Sequence, residues 1–187
     1  GENDGDNFGY SVAVSADGRH LVVGSPREND ETGAIRIYEI DDGAFVLSAV
    51  SRGQAPSERA GWSVAISGDG NIVAMGATKA GSNGGGTIES YQYQGPNSWA
   101  PYGSTIEANS GDLAGYSLAL SYDGNVMAVG SVKFASNDSG LVAVHDFDGS
   151  QWNKRADIPG EEKGNREGSS VALSKDGSIL VIGATGH

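Results

Sequence analysis

Few residues in this chain have the type and spacing to do chemistry. The three histidines, His20, His145 and His187, have neither a carboxylate nor a second histidine at metal-ligand spacing, so they read as surface or packing residues. No serine sits in a Gly-x-Ser-x-Gly elbow, the strained turn that exposes a nucleophile. Residues 81–86 are glycine-rich, but no Lys-Ser/Thr pair and no helix follows, so they make a flexible loop and not a phosphate cradle. A carboxylate pair for glycoside hydrolysis is a matter of distance in space, which residue order does not reveal. No catalytic residue is assigned. The expectation is a protein that is not an enzyme and carries no cofactor and no metal.

Two features carry a sharper reading. Tyr10, Trp62 and Tyr116 hold one shared place in a repeat, and Ser169 breaks that series. Exposed aromatic faces there would stack on sugars, whereas buried ones would pack adjacent repeat units together, and both readings stand. Asn137-Asp138-Ser139 is the one Asn-x-Ser/Thr sequon, a glycan acceptor if the protein is secreted.

The repeat that must position these residues is marked by glycine. Gly9, Gly61, Gly115 and Gly168 stand 52, 54 and 53 residues apart. In every copy an Asp-Gly pair starts 8 residues later (Asp17, Asp69, Asp123, Asp176), and a glycine 15 residues later closes the stretch. A fixed period of this size signals a repeat architecture. A short strand of small and β-branched residues, as at 11–15, leads into the Asp-Gly turn, where glycine takes a left-handed conformation without strain. The next strand (residues 21–23, 72–75, 126–129 and 179–182) is apolar without alternation, which predicts burial on both faces. A polar, variable loop follows, then a third strand after a glycine (34–40, 87–93, 141–147). A fourth strand begins near Phe45, Trp99 or Trp152. Pro101 places that strand at the outer edge, because proline lacks the ladder donor.

Four antiparallel strands per unit, repeated, predict an all-β fold: a β-propeller-type array of four-stranded blades. The units run 8–59, 60–113 and 114–166, with half of a fourth at 167–187. No segment shows a helical period, and a linearly stacked solenoid is the structural rival. The half unit would leave an edge open, which points to a segment of a larger propeller or to a subunit whose edge other copies cover.

Charge and composition narrow the partners. The net charge is −12, from 12 basic and 24 acidic residues spread along the chain, and such a surface repels nucleic acid and anionic membranes. The absence of cysteine excludes disulfides and thiolate metal sites. Apolar runs such as residues 180–182 are far too short to span a bilayer, so no membrane insertion is expected. The sequence starts at Gly1 without an initiator Met or a signal-like segment, as a processed or excised piece would.

The combination of Phe8-Gly9, Asp17-Gly18, Gly24-Ser25-Pro26 and Gly33 before a strand resembles the FG-GAP repeat. The likeness is to the variant with a unit of about this length ending in Gly-x-x-Trp, matched by Gly95 to Trp99 and Gly149 to Trp152. It extends over nearly the whole chain from Phe8. The later copies replace the Phe-Gly pair with Ala60-Gly61, Ala114-Gly115 and Glu167-Gly168. That family forms the propeller of integrin α-subunits and of many secreted or surface proteins. The resemblance therefore implies an extracellular or cell-surface, non-catalytic structural or adhesive module. Its partners would be other protein chains, further blades of the same chain, or glycans; a lectin and a subunit of an extracellular fibre are the alternatives. Calcium-binding members carry an Asp- and Asn-rich loop between the first two strands. Calcium takes about 6–8 oxygen ligands, and here that connection is only Ser-x-Asp-Gly. Asp17, Asp69, Asp123 and Asp176 are expected to form turns and not to hold metal.

Overall fold

In each repeat a Ser-x-Asp-Gly turn joins the first two strands, and the computed structural model, which describes residues 3–134 and 138–186, builds all four alike. The Asp carboxylate accepts hydrogen bonds from the Ser hydroxyl two residues before it and from the backbone N–H two residues after it. For Asp17 the donors are Ser15 Oγ (2.6 Å) and the Arg19 N–H (3.0 Å). The Ser hydroxyl in turn accepts the N–H that starts the second strand, as at Ile72 (2.9 Å) and Val126 (3.0 Å). The glycine after the Asp is left-handed in each, with φ of 71°, 77°, 71° and 67° at Gly18, Gly70, Gly124 and Gly177.

The strands around these turns form four antiparallel sheets. The first joins β1 (Ser11–Val14), β2 (His20–Ser25), β3 (Ala34–Asp41) and β4 (Ala44–Arg52) in chain order. The second joins β5 (Ala60–Ile66), β6 (Ile72–Ala77), β7 (Thr87–Gly95) and β8 (Ser98–Pro101), and a short β9 (Ile106–Glu107) also pairs with β7. The third joins β10 (Ala114–Leu120), β11 (Val126–Ser131), β12 (Leu141–Phe147) and β13 (Trp152–Pro159). The fourth has β14 (Ser170–Leu173) and β15 (Leu180–Gly183). The fold is an all-β, propeller-type array of blades, as the repeat predicts. Pro101 ends β8 on the outer edge of its sheet. Beyond it the edge resumes as β9, a pairing that the polar linker sequence did not reveal.

The core lies between consecutive blades. Strands β6 and β11 are buried along their whole length, because each has a blade on either face. Val22, Ile35 and Ile37 of the first blade close on Val64, Val73 and Met75 of the second. Ala65, Ala74 and Ile88 close in the same way on Met127 and Val129 of the third. Burial of this kind is worth roughly 1.5–3 kcal/mol per large apolar side chain.

A polar joint repeats beside each apolar contact. Ser11, Ser63 and Ser117 each donate a hydroxyl to the carbonyl of the glycine that opens the next unit: Gly61 (2.9 Å), Gly115 (2.6 Å) and Gly168 (2.8 Å). A Cβ on Gly24, Gly76 or Gly130 would run into that same carbonyl, so close approach of the backbones is why glycine closes each stretch. The tryptophans that start the fourth strand bolt each blade to the one before it. Trp99 Nε1 donates to Ser48 Oγ (3.2 Å) and Trp152 Nε1 to Ser90 Oγ (2.9 Å).

The loop after β2 departs from the sequence expectation of a plain polar connection. Residues Glu28–Glu31 make a single helical turn in which Asn29 and Asp30 are left-handed (φ 50° and 54°). This turn carries the Glu28 carboxylate into the blade, where Arg36 receives it. No helix among the described residues is long and apolar enough to cross a membrane.

Candidate functional site

The turn that enters each blade sets the direction of the residue after its glycine. Gly9, Gly61, Gly115 and Gly168 are left-handed, and so are Asn7, Arg59, Leu113 and Arg166 two residues before them. The N–H of the following residue closes a four-residue turn, as in Tyr10 to the Asn7 carbonyl (3.0 Å) and Trp62 to the Arg59 carbonyl (3.1 Å). Four non-glycine residues in so costly a conformation are held there by the repeated backbone pairing around them.

This geometry brings the three predicted aromatic residues together. Tyr10 and Trp62 have ring centroids 4.9 Å apart, and Trp62 and Tyr116 5.6 Å apart, with tilted planes. The rings form a ladder across three blades, in which Tyr10 remains 48% exposed. Trp62 and Tyr116 lie within β5 and β10, in the bulge that interrupts the register of each strand. Ser169 ends the series, with its hydroxyl on the Arg166 carbonyl and on Thr185.

Charged groups edge the ladder. The Arg59 guanidinium lies 5.6 Å from the Trp62 ring, and it also pairs with Glu31 (Nη2 to Oε2, 2.8 Å). Arg27 pairs with the other oxygen of Glu31 at 3.7 Å. Partial burial pushes the Tyr10 hydroxyl up from its ordinary pKa, Tyr116 adds to the rise, and Arg27 and Arg59 oppose it. The Glu31 carboxyl is held low, first by its hydrogen bond from Arg59. An aromatic surface with guanidinium donors at its margin can stack on the apolar face of a sugar or a planar group and hydrogen-bond its rim.

The Asp-Gly turns lie elsewhere, and their carboxylates are engaged by their own turns. An acidic cleft of about 750 Å³ opens next to the first two of them, between the first and second blades, lined in part by Asp17, His20, Glu39, Asp69 and Tyr93. His20 packs its ring on Tyr93 and Trp99, at 4.9 and 5.7 Å. His145 is buried in β12 of the third blade, whereas His20 belongs to β2 of the first. Among the described residues, no group of three or more His, Asp or Glu side chains is placed to hold a metal ion. Residues 81–86 are a turn against the next linker, with Asn83 Nδ2 on the Ala108 carbonyl (3.0 Å). The sequon residue Asn137 and the third histidine, His187, lie outside the described residues.

Residues 2–38 match the FG-GAP repeat. The match covers the first blade through most of β3 and agrees with the resemblance drawn from Phe8-Gly9, Asp17-Gly18 and Gly24-Ser25-Pro26. No curated protein matches the chain. A solved structure from Bacteroides uniformis, provisionally described as a 6-phosphogluconolactonase, superposes with a TM-score of 0.63 at 13% identity over 92% of this chain. This chain spans 46% of that one, less than half its length. At that identity the likeness is one of fold.

Proposed function

We infer that this chain is a non-catalytic interaction module that works outside the cell, as a structural or adhesive element. One observation carries the reading. The polar residues that recur from unit to unit are bound up in construction: the turn aspartates of all four units with their serines, and the joint serines of the first three with the next glycine. What differs between units is the loop after the second strand, and variable loops on a rigid scaffold are where recognition is usually placed. The FG-GAP match at residues 2–38 supports the extracellular or surface setting, since that repeat is typical of such proteins.

The test is a binding experiment paired with an activity assay. Saturable binding to an extracellular protein, lost when residues 79–85 are replaced by a Gly-Ser stretch, supports the module. The provisional description of the Bacteroides uniformis protein makes hydrolysis of a sugar lactone the most demanding counter-assay. Turnover of a lactone or a polysaccharide by the chain overturns the reading.

A second reading has its own observation. The contiguous Tyr10–Trp62–Tyr116 ladder, with Arg59 on its margin, favours carbohydrate as the ligand. Glycan-array binding that disappears in a Tyr10→Ala variant would support it.

A further inference from the structure

Three places of the repeat that meet in each blade carry opposite charges in the first two units. Arg36 pairs with Val23, Glu89 with Met75 and Ala143 with Val129, so these three share one position on the third strand. Arg52, Glu107 and Pro159 share another, opposite Ala34, Thr87 and Leu141. The third place is Glu28 in the first blade and Ala80 in the second. Each gives its carbonyl to the N–H of the glycine before the third strand, Gly33 (2.9 Å) and Gly86 (3.0 Å). In the first blade Arg36 and Arg52 close on the Glu28 carboxylate. In the second blade carboxylates replace both cations, and the short Ala80 puts no counter-ion between them.

A cavity of about 300 Å³ stands there, between the second blade and the linker that leaves β4. Glu58, Glu89 and Glu107 line it, and no lysine, arginine or histidine does; Lys79, beside Ala80, is exposed. None of the three carboxylates forms an ion pair among the described residues. Glu58 Oε2 accepts the Gln54 N–H (2.6 Å). Glu89 Oε2 accepts the Tyr91 hydroxyl (2.5 Å), which Ser51 Oγ also meets (2.7 Å), and Glu89 Oε1 has no partner among the described residues. Burial, and then the bond to Glu89, push the Tyr91 phenol up, so it stays a donor. Thr87 also lines the cavity and is 6% exposed. Its hydroxyl has no hydrogen-bond partner among the described residues, yet the oxygen is not sealed off. A buried polar group left open in this way calls for a partner from outside. Access is local to this blade. Residues 102–105 leave the fourth strand opposite Glu89 and Ser90, where β4 and β13 run unbroken, and Thr105 forms part of the cavity wall.

We propose that this cavity binds the ammonium or guanidinium head of a lysine or arginine side chain presented by a partner protein. Such heads carry donors alone, and the cavity offers them carboxylates and a free hydroxyl. Met75, Ala77 and Ala80 give the alkyl stem an apolar floor. The volume lies at the low end for a ligand site and suits one side chain. Among the described residues no three acidic side chains converge as a metal cage, so a cation with several spread donors is the better match. The arrangement is that of Glu28 between Arg36 and Arg52 with the signs reversed, the central charge now coming from outside the chain. The proposal rests on the reading of the chain as an interaction module and names the chemistry of its partner.

Calorimetric titration of the 187-residue chain with acetylated, amidated Gly-Lys-Gly and Gly-Arg-Gly tests this, with Gly-norleucine-Gly, n-butylamine and calcium chloride alongside. At least one basic tripeptide is expected to bind saturably, in the millimolar range or tighter, and the norleucine tripeptide not at all. Glu89→Gln and Glu107→Gln should each weaken that binding at least tenfold. Glu107 is exposed, so Glu107→Gln keeps the test open if Glu89→Gln fails to fold. Ala80→Arg, which sets a guanidinium where the first blade has Glu28, should abolish binding by filling the cavity from within. No saturable binding of either basic tripeptide overturns the proposal, as does binding that Glu107→Gln leaves intact. Calcium binding in place of the tripeptides overturns it in favour of a metal, and n-butylamine binding tighter than both tripeptides overturns it in favour of a free amine. Lactone or polysaccharide turnover would overturn the module reading without altering these titrations, so the two failures are distinguishable.

Discussion

Glu28 and Arg36 form a two-pronged ion pair, Nη1 to Oε2 at 2.6 Å and Nη2 to Oε1 at 3.2 Å, with both side chains buried. Arg52 adds a longer contact to Glu28 at 3.4 Å, and the Phe8 ring lies 5.9 Å from the Arg36 guanidinium. Removing one partner of a buried pair strands the other charge, at a cost of about 3–5 kcal/mol. Arg36→Ala is therefore expected to lower the unfolding free energy by about that amount in a urea titration. The double replacement Glu28→Met/Arg36→Met should recover most of the loss, because two apolar side chains of similar volume need no partner.

The joint between blades makes a sharper contrast. Ser63 Oγ is bonded to the Gly115 carbonyl at 2.6 Å in a buried setting, so Ser63→Ala leaves that acceptor without its donor. The expected cost is about 1–3 kcal/mol. Ser170→Ala, at the same place in the fourth unit, where the hydroxyl meets no following glycine among the described residues, should change the stability of the 187-residue stretch by less than about 0.5 kcal/mol. Denaturant midpoints for the two variants, measured together, check the difference.

Much of this architecture was legible because its signals are local. The left-handed glycine and the Asp that accepts from its neighbouring serine act within a few residues, so a fixed spacing in sequence becomes a fixed turn in space. The aromatic ladder was legible for a related reason: Tyr10, Trp62 and Tyr116 share a repeat position, and a repeat turns shared position into adjacency. The Ser11–Gly61 joint spans 50 residues, and its serine looks like any strand serine until the blades are stacked. Nor did sequence mark the burial of Glu28, because its charge is balanced by Arg36 only after the loop folds back onto β3. His145, in sequence an ordinary surface or packing residue, is buried within β12.

That depth gives a pH dependence with a definite sign. Burial pushes the His145 imidazole below its ordinary pKa of 6.5, with the Lys154 ammonium adding to the effect and Asp157 and Asp146 opposing it. The unfolded chain takes up the proton near pH 6.5, while the folded chain resists it until lower pH. The contribution to stability is full above pH 6.5 and is lost as the pH falls from there toward the folded value. Melting temperature should fall between pH 7 and pH 5, and His145→Gln should flatten that part of the curve. A lower window belongs to Asp176, held at about 2 by Ser174 and then Ser178 against an ordinary 3.8. Its contribution, present above 3.8, is lost between 3.8 and 2.

The turn carboxylates make a prediction about metal. Asp69 accepts from Ser67 Oγ (2.5 Å), from the Asn71 N–H (3.0 Å) and from Asn71 Nδ2 (2.9 Å), so its oxygens are committed to the turn. Addition of a chelator is expected to leave the melting temperature unchanged. Asp69→Ala should lower stability by about 1 kcal/mol through the lost turn bonds. A chelator effect larger than that of Asp69→Ala would mean that the turns hold an ion.

The ladder separates packing from recognition. Trp62 touches both Tyr10 and Tyr116 and lies under Arg59, so Trp62→Ala loses two ring pairs and a cation–π contact. Each ring pair is worth about 0.5–1.5 kcal/mol beyond its buried area, and a loss of about 1–3 kcal/mol is expected. Tyr10 has one ring partner and is half exposed, so Tyr10→Ala should cost less than about 1 kcal/mol. If the ladder also binds sugars, its exposed end must carry most of the contact. Tyr10→Ala would then weaken oligosaccharide binding at least tenfold in calorimetry while leaving the melting curve nearly in place. A Tyr10→Ala protein that binds as wild type would confine the three rings to holding neighbouring blades together.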